Sequence, residues 1–439
     1  MKLKQKEAII ILILLVILYI VIFLFQNVSP QPEITKIYFA DRFTDAHKEL
    51  VEKYNKLHKG EVEVIPIDFP NFDFSTNERK EVLARSLRGT GDGIDLFAVD
   101  LIWVQRFAKW CEPLQYDFSK DELNRLLPKT VESCYFNGEL VAVPLARGPS
   151  VMYYREDLLK KYKDSGRIIR MLNKGITWPQ FINLKKELNY TNPFYIFTGA
   201  DYEGLICCFI ELILDQNPNY FARHGFNLET IEARKALQLM VDLINKYDLS
   251  PQIVTDFTEV PSYEYYIKND GLFIHGWPSY DKDFREHPFD PKKEGNLKKT
   301  TPPFFSGGRP TTIMGGWNLM ISKFSHKKKE VIDFVKFLLS DSSQEIFYKE
   351  SGYWPVIKKF YDDSSYTKKY PEIPDMKRIL KTSQNRPADE DYTKFSKIMS
   401  MYIEQALKNK ISINEALTKA TDAIEVERVM VKDFDKLSN

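Results

Sequence analysis

Asp41 and Asp100 each follow an apolar run, "ITKIYFA" and "IDLFAVD", and Trp103 stands just past the second of them. A carboxylate can hold two neighbouring hydroxyls, and an indole presents a flat apolar face. Those are the residue types a polyhydroxylated ring needs from a receptor. The pattern recurs further on. "GLFIHGWPSY" (271–280) sets Trp277 beside Gly276, and "TTIMGGWNLMISKFSHKKK" (311–329) sets Trp317 beside Gly315 and Gly316. Glycine at such a place lets a ligand, or another side chain, approach the backbone closely. Trp354 lies near Gly352, whereas Trp110 and Trp178 read as structural. One tryptophan can serve core packing as readily as ligand stacking. Four of them at strand ends or glycine turns imply that at least two face a cleft.

Signatures of catalysis are missing from the sequence. "RGTGDGID" (88–95) runs from a helix into a strand, the reverse of the order that turns helix N–H groups toward a phosphate. There is no G-x-S-x-G elbow, no H-E-x-x-H pair and no calcium-loop pattern. The 6 histidines are not spaced with cysteines or carboxylates as metal ligands. The expectation is therefore a binding protein without metal or cofactor. With 61 carboxylates a glycosidase pair could still be assembled in space, and its mark would be two carboxyls about 5 to 9 Å apart across a cleft.

The elements that carry these residues follow an α/β rhythm. Strands are predicted at 34–40, 62–69 and 94–100, with helices between them, one of which runs from Thr44 as N-cap to Gly60. Strand, helix, strand, helix, strand at this spacing predicts parallel strands, with the site beyond their carboxyl ends. That is where Asp41, Arg42, Asp100 and Trp103 fall. Further helices are expected from Thr177, over 230–247, over 326–340, and from the capping box Ser412 to Glu415. The polar stretch from Asp281 to Pro303 reads as an exposed loop.

The chain has 439 residues, enough for about two lobes. Its 62 basic and 61 acidic residues give a net charge of +1, which argues against nucleic-acid binding. Lys2, Lys4 and Lys6 precede 18 uncharged apolar residues, 8–25. That just reaches the roughly 20 residues of a membrane-spanning helix, with the basic side inward. No A-x-A cleavage pattern and no cysteine for a lipid follows, so an uncleaved anchor is expected and the rest of the chain works outside the cytoplasm. Export permits disulfides. Cys111 and Cys134 could pair if the fold brings them together; Cys207 and Cys208 lie in an apolar run, and free buried thiols are the plain reading for all four.

The segment "FNGELVAVPLARGPSVMYYREDLLKKY" (136–162) resembles the crossing from first to second lobe in family 1 extracellular solute-binding proteins, the maltose-binding-like receptors of ABC importers. "TWPQF", "GLFIHGWPSY", the run from "GGWNLM" to "ESGYWPV", and "RPADEDYTKFSKIMSMYIEQALKNKISINEALTKATDAI" keep that family's order, over roughly residues 34–430. The resemblance implies two α/β lobes closing by a hinge on a ligand between them, a first lobe of 34–146 with 321–365 and a second of 147–320 with 366–439. The N-terminal transmembrane helix, read above as an anchor and linker at 1–33, departs from the family, whose bacterial members are usually lipid-anchored through a cysteine or free in a periplasm. The resemblance puts Arg147 and Gly148 at the hinge mouth, Trp277 on the second lobe's wall and Trp317–Asn318 at the crossing back. Arg386 would reach the cleft from the C-terminal helix region; Asp201, Tyr202 and His275 are further candidates. The implied function is capture of a mono- or oligosaccharide and its delivery to an ABC permease. Another polar solute, an anion suited to Arg147 and His275, or service as a sensor subunit are the alternatives among binding proteins.

Overall fold

Short β-branched and aromatic runs bounded by polar turns make the first three strands, β1 (Thr35–Asp41), β2 (Val62–Asp68) and β3 (Leu96–Asp100). They are parallel, with β1 between the other two. The computed structural model describes residues 10–20, 33–69, 76–89, 92–283 and 290–437. A two-strand hairpin, β4 (Tyr135–Phe136) and β5 (Glu139–Leu140), precedes β6 (Val143–Pro149) and β7 (Val151–Arg155). The remaining strands are β8 (Tyr195–Ile196), β9 (Phe273–Gly276), β10 (Leu297–Thr300), β11 (Thr312–Ile321) and β12 (Ser383–Gln384).

The strands form two principal sheets. In the first the order is β12-β11-β3-β1-β2, with β6 also on β11; in the second it is β10-β7-β9-β8. β11 runs antiparallel to both β3 and β6. The chain leaves the first sheet through β6, turns at Ser150 and enters the second sheet as β7. It returns through residues 301–311 to β11, whose first residues Thr312 and Ile313 pair with β12.

The helices that carry or brace the site residues are α1 (Asp45–Leu57), α2 (Thr76–Arg88), α3 (Trp178–Leu188), α4 (Glu203–Gln216), α5 (Ile231–Asn245), α6 (Glu259–Lys268), α7 (Lys328–Leu338), α8 (Asp341–Ser351), α9 (Tyr392–Leu407) and α10 (Ile413–Leu437). The caps expected at Thr44, Thr177 and Ser412 are present, and Thr230 adds another. Thr230 Oγ1 accepts from Ala233 N–H at 3.2 Å, Ser412 Oγ accepts from Glu415 N–H at 3.2 Å, and Thr177 forms a capping box with Gln180. α8 packs on α1, while α9 and α10 pack on each other and against α4 and α5. α4 is apolar on almost every side and lies wholly inside, from Gly204 to Asp215.

Two expectations meet the structure differently, and the plain reading of the cysteines holds. The tract 281–303 is not all loop. Its Lys-rich portion is the edge strand β10, paired with β7 from Leu297↔Arg155 to Thr300↔Met152. Charged edge positions hide a strand from a hydrophobicity pattern while protecting its open side. The four cysteines are free and buried, Cys111 donating to Phe107 O at 3.2 Å and Cys134 to Thr130 O at 3.5 Å. Of the span 8–25, residues 10–20 are helical and exposed, and the others lie outside the described residues, as do residues 26–32 of the linker. Among the described residues no helix is long and apolar enough to cross a membrane.

Candidate ligand-binding site

Asp100 ends β3, where its carboxylate caps the following turn by accepting from Ile102 N–H at 3.1 Å. The same oxygen accepts from Arg386 Nη2 at 2.6 Å. Arg386 Nη1 donates to Glu203 Oε1, at the start of α4, at 2.7 Å. Glu203 also accepts from Tyr392 OH at 2.8 Å and from Ser396 Oγ. One guanidinium thus joins the end of a first-sheet strand to a helix packed beside α9. Burial works against the charge on Arg386, but Asp100 and Glu203 outweigh it and hold its pKa above the ordinary value. Both carboxylates are tied to one cation. A glycosidase instead keeps one carboxyl protonated and its partner free to act on the ligand.

Trp317 lies opposite Asp100 in the β11–β3 register and is half-buried. The Arg79 guanidinium sits 4.3 Å above its ring, and Trp103 meets it edge-on with centroids 6.5 Å apart. From the second-sheet side comes Trp277, also half-buried, just past β9. The two glycines of β11 explain its seat. A Cβ on Gly315 would lie 2.8 Å from the Trp277 ring and 2.9 Å from Gly148 O. Gly316 adopts φ 143°, and a Cβ there would meet Ala146 O at 2.4 Å. The glycines let the indole that follows β9 in the second sheet rest on β11 of the first.

Behind Trp277 are Glu259, first residue of α6, and Tyr202. Burial raises the Glu259 pKa, opposed by its own backbone N–H, the Tyr202 hydroxyl and the Trp277 indole N–H, with Glu203 adding to the rise. Burial, then the Glu259 charge, pushes the Tyr202 phenol well up.

Other expected residues do different work. Arg147 is not open to a ligand. It is 1% exposed, and its guanidinium donates to Ala146 O, Trp317 O, Thr130 O, Ser133 Oγ and Asn318 Oδ1 at 2.7–3.1 Å. Burial lowers its pKa to about 10. It is a strut tying β6 to β11, and Asn318, fully buried, is its partner. Trp354 is buried against the same strut, exchanging backbone hydrogen bonds with Arg147 at 2.8 and 3.0 Å. Trp103 is buried, although its Nε1 has no acceptor among the described residues. His275 faces the interior, with Nδ1 3.3 Å from Cys208 Sγ and Nε2 3.3 Å from Glu211 Oε2. Asp201 pairs on the surface with Lys397 at 2.6 Å and takes a bond from Ser400. Asp41 accepts from Arg42 N–H at 2.7 Å and pairs with His47 at 3.1 Å.

The structure therefore brings together Asp100, Trp103, Trp277, Trp317 and Arg386, with Tyr202 beside them and Asp41 4.0 Å from the Arg79 guanidinium that covers Trp317, and leaves Arg147, Asp201, His275, Asn318 and Trp354 outside. Sequence reasoning missed Arg79, Glu203 and Glu259. Glu203 carried a usable signal, a lone acid opening an otherwise apolar helix; Arg79 sits in "NERKEV", which reads as a solvated helix face.

Comparison with known proteins agrees with this architecture. The family model described as bacterial extracellular solute-binding protein matches residues 40–345. A probable ABC transporter-binding protein of Deinococcus radiodurans is 23% identical over 367 residues, 81% of this chain and 84% of the relative. Maltose-bound MalE3 of T. maritima superposes with a TM-score of 0.76 at 26% identity, covering 89% of this chain and 99% of the other. The cyclic alpha-maltosyl-1,6-maltose binding protein of Arthrobacter globiformis gives 0.70 at 22%, over 90% and 98%. A ribitol complex of an Agrobacterium radiobacter ABC transporter solute-binding protein gives 0.72 at 18%, over 91% and 100%. With most of its length matched by the family and its two sheets arranged as in these binding proteins, the chain belongs to the bacterial extracellular solute-binding proteins, and its α/β body is an extracytoplasmic solute-binding domain.

Proposed function

We propose that the protein captures a mono- or oligosaccharide between two lobes and hands it to an ABC permease. The lobes are residues 34–146 with 321–365, and 147–320 with 366–439. The observation that carries this reading is the pair of half-buried indoles, Trp277 and Trp317, on either side of the Gly315–Gly316 crossing, beside the Asp100–Arg386–Glu203 network. Stacking on a sugar face together with charged hydrogen bonds at its rim is the recognition these groups supply. Maltose in the T. maritima complex and ribitol in the Agrobacterium complex support a polyol or sugar as the class of ligand. The ligand-facing set is Asp100, Trp103, Tyr202, Trp277, Trp317 and Arg386, joined by Arg79, Glu203 and Glu259. Tethering by the N-terminal apolar stretch belongs to the same proposal: residues 10–20 are helical and present only apolar side chains, all exposed. Residues 1–33 would then hold the receptor at the membrane beside its permease.

The test is thermal melting of the full chain in detergent against a panel of mono- and oligosaccharides. A specific sugar at about 100 times its Kd stabilises the native state by about 2.7 kcal/mol, a shift of a few degrees. Trp277→Ala is expected to weaken binding about 10- to 100-fold, the usual range for a lost stacking anchor, while the unliganded protein melts as before. A panel in which no sugar shifts the melt while an amine or peptide does would end the carbohydrate assignment.

A further inference from the structure

Among the described residues Arg79 is the buried arginine whose charge is least answered, by one ion pair at 4.0 Å. It is 4% exposed, yet among the described residues its guanidinium donates no hydrogen bond, and its Nε is buried without an acceptor. Its contacts are the face of Trp317 at 4.3 Å and Asp41 Oδ1 at 4.0 Å, beyond hydrogen-bonding reach. Asp41 Oδ1 also accepts from Arg42 N–H, and its Oδ2 lies 3.1 Å from His47 Nε2. The other buried arginines are answered in full or nearly so. Arg147 has five bonds, Arg386 has Asp100 and Glu203, and Arg155 has Asp157 and Asp270. Lys80, the next residue, is 7% exposed and pairs with Glu81 at 3.2 Å, a half-exposed carboxylate that also lies 3.8 Å from Arg106.

Of the carboxylates nearby, Asp100 and Glu203 are committed to Arg386, and Asp41 is shared between His47 at 3.1 Å and Arg79 at 4.0 Å. What the described site leaves unsatisfied on the first-sheet side is donor capacity with positive charge: Arg79 over Trp317, and the indole N–H of Trp103, which meets the same ring edge-on. A desolvated guanidinium without an anion is unfavourable, and the planar fork matches an oxyanion edge-on. Arg79 also covers one face of Trp317, so a sugar ring cannot stack there without meeting the cation.

Resting on the carbohydrate reading above, we propose that the captured saccharide carries an oxyanion, a uronate carboxylate or a phosphate ester, held by Arg79 beside Trp317 while Trp277 takes a ring face. The probes are paired on the full chain by titration calorimetry: glucose, galactose and digalacturonate methyl ester against glucuronate, galacturonate, glucose 6-phosphate and free digalacturonate. The expected result is that an acid binds at least about tenfold more tightly than its neutral counterpart, with the preference shrinking as salt rises. Comparing uronates with the phosphate ester tells the two oxyanions apart. Arg79→Gln should abolish the preference while the unliganded protein melts no lower than the parent, because the substitution removes an uncompensated charge; Arg79→Lys should keep part of it. Equal binding of acids and neutral partners by the parent protein overturns the inference and leaves the sugar receptor standing, and so does an unchanged preference in Arg79→Gln. A lower melting point for unliganded Arg79→Gln would return Arg79 to a structural role and also overturn it. Failure of every saccharide, charged or neutral, overturns both.

Discussion

Asp215 shows how one buried side chain sets a condition on the whole fold. It lies one turn after Glu211 on α4, is 3% exposed, and its Oδ2 accepts from Phe305 N–H at 3.2 Å. Burial drives its carboxyl up to about 8, the Phe305 N–H opposing and Glu211 adding. The unfolded chain gives up this proton near pH 4, whereas the folded chain keeps it until about pH 8. Between those values the native state binds the extra proton, so stability falls as pH rises through the window. Asp215→Asn keeps an acceptor for Phe305 and removes the titration. The variant is expected to match the parent below pH 4 and to exceed it by ~2–4 kcal/mol at pH 8. Chemical denaturation at pH 4, 6 and 8 reads this directly, and parallel parent and variant curves would refute it.

At the scale of elements the decisive structure is the crossing where β6 hands over to β7 beside the start of β11. Ser150 exchanges with Ile313 twice, donating from its N–H to Ile313 O and accepting from Ile313 N–H at its Oγ, each at 2.8 Å. Its hydroxyl donates to Glu211, which in turn faces His275. The two crossing segments are thereby pinned to the core of the second sheet. Ser150→Ala strips a partner from two buried groups at once and is expected to cost about 2–4 kcal/mol, at roughly 1–3 for each orphaned group. Urea denaturation measures it, and a loss under about 0.5 kcal/mol would mean the pin carries nothing. Much of this scale was readable beforehand. Apolar periodicity and caps located β1 to β3, α1, α5 and α7, because local pattern and tertiary burial agree there. Side-chain direction at the crossing was not readable. Arg147 stands next to the glycines and looked ligand-facing, but whether a strand residue points into a gap or back at a neighbouring strand depends on register. The β-bulge between Trp317 and Asn318 shifts that register, leaving Trp317 half-open and Asn318 sealed against Arg147. Trp354 is sealed for the same kind of reason, since its burial comes from partners distant in sequence.

For the molecule as a whole, Asp100, Arg386 and Glu203 form one of the links between the two parts of the chain, beside others such as Lys282 donating to Tyr348 O and Lys349 O. Asp100 belongs to the first sheet, Glu203 opens a helix whose neighbours are α5 and α9, and Arg386 lies between β12 and α9. A receptor that closes on its ligand divides its population between open and closed forms, and any contact made only in the closed form favours it by the free energy of that contact. Arg386→Met keeps the apolar stem but leaves Asp100 and Glu203 facing each other without a cation. Removing one partner of a buried ion network costs about 3–5 kcal/mol, and here the two remaining carboxylates add repulsion. If the network bridges the lobes, the penalty can be escaped by opening, because water then reaches both acids. The variant should therefore lose less global stability than that figure while its radius of gyration in X-ray scattering rises above the parent's, and saturating sugar should restore the compact value. Should the variant instead melt early with an unchanged radius, the network belongs to one rigid body, and closure of the proposed lobes would have to rest on other contacts.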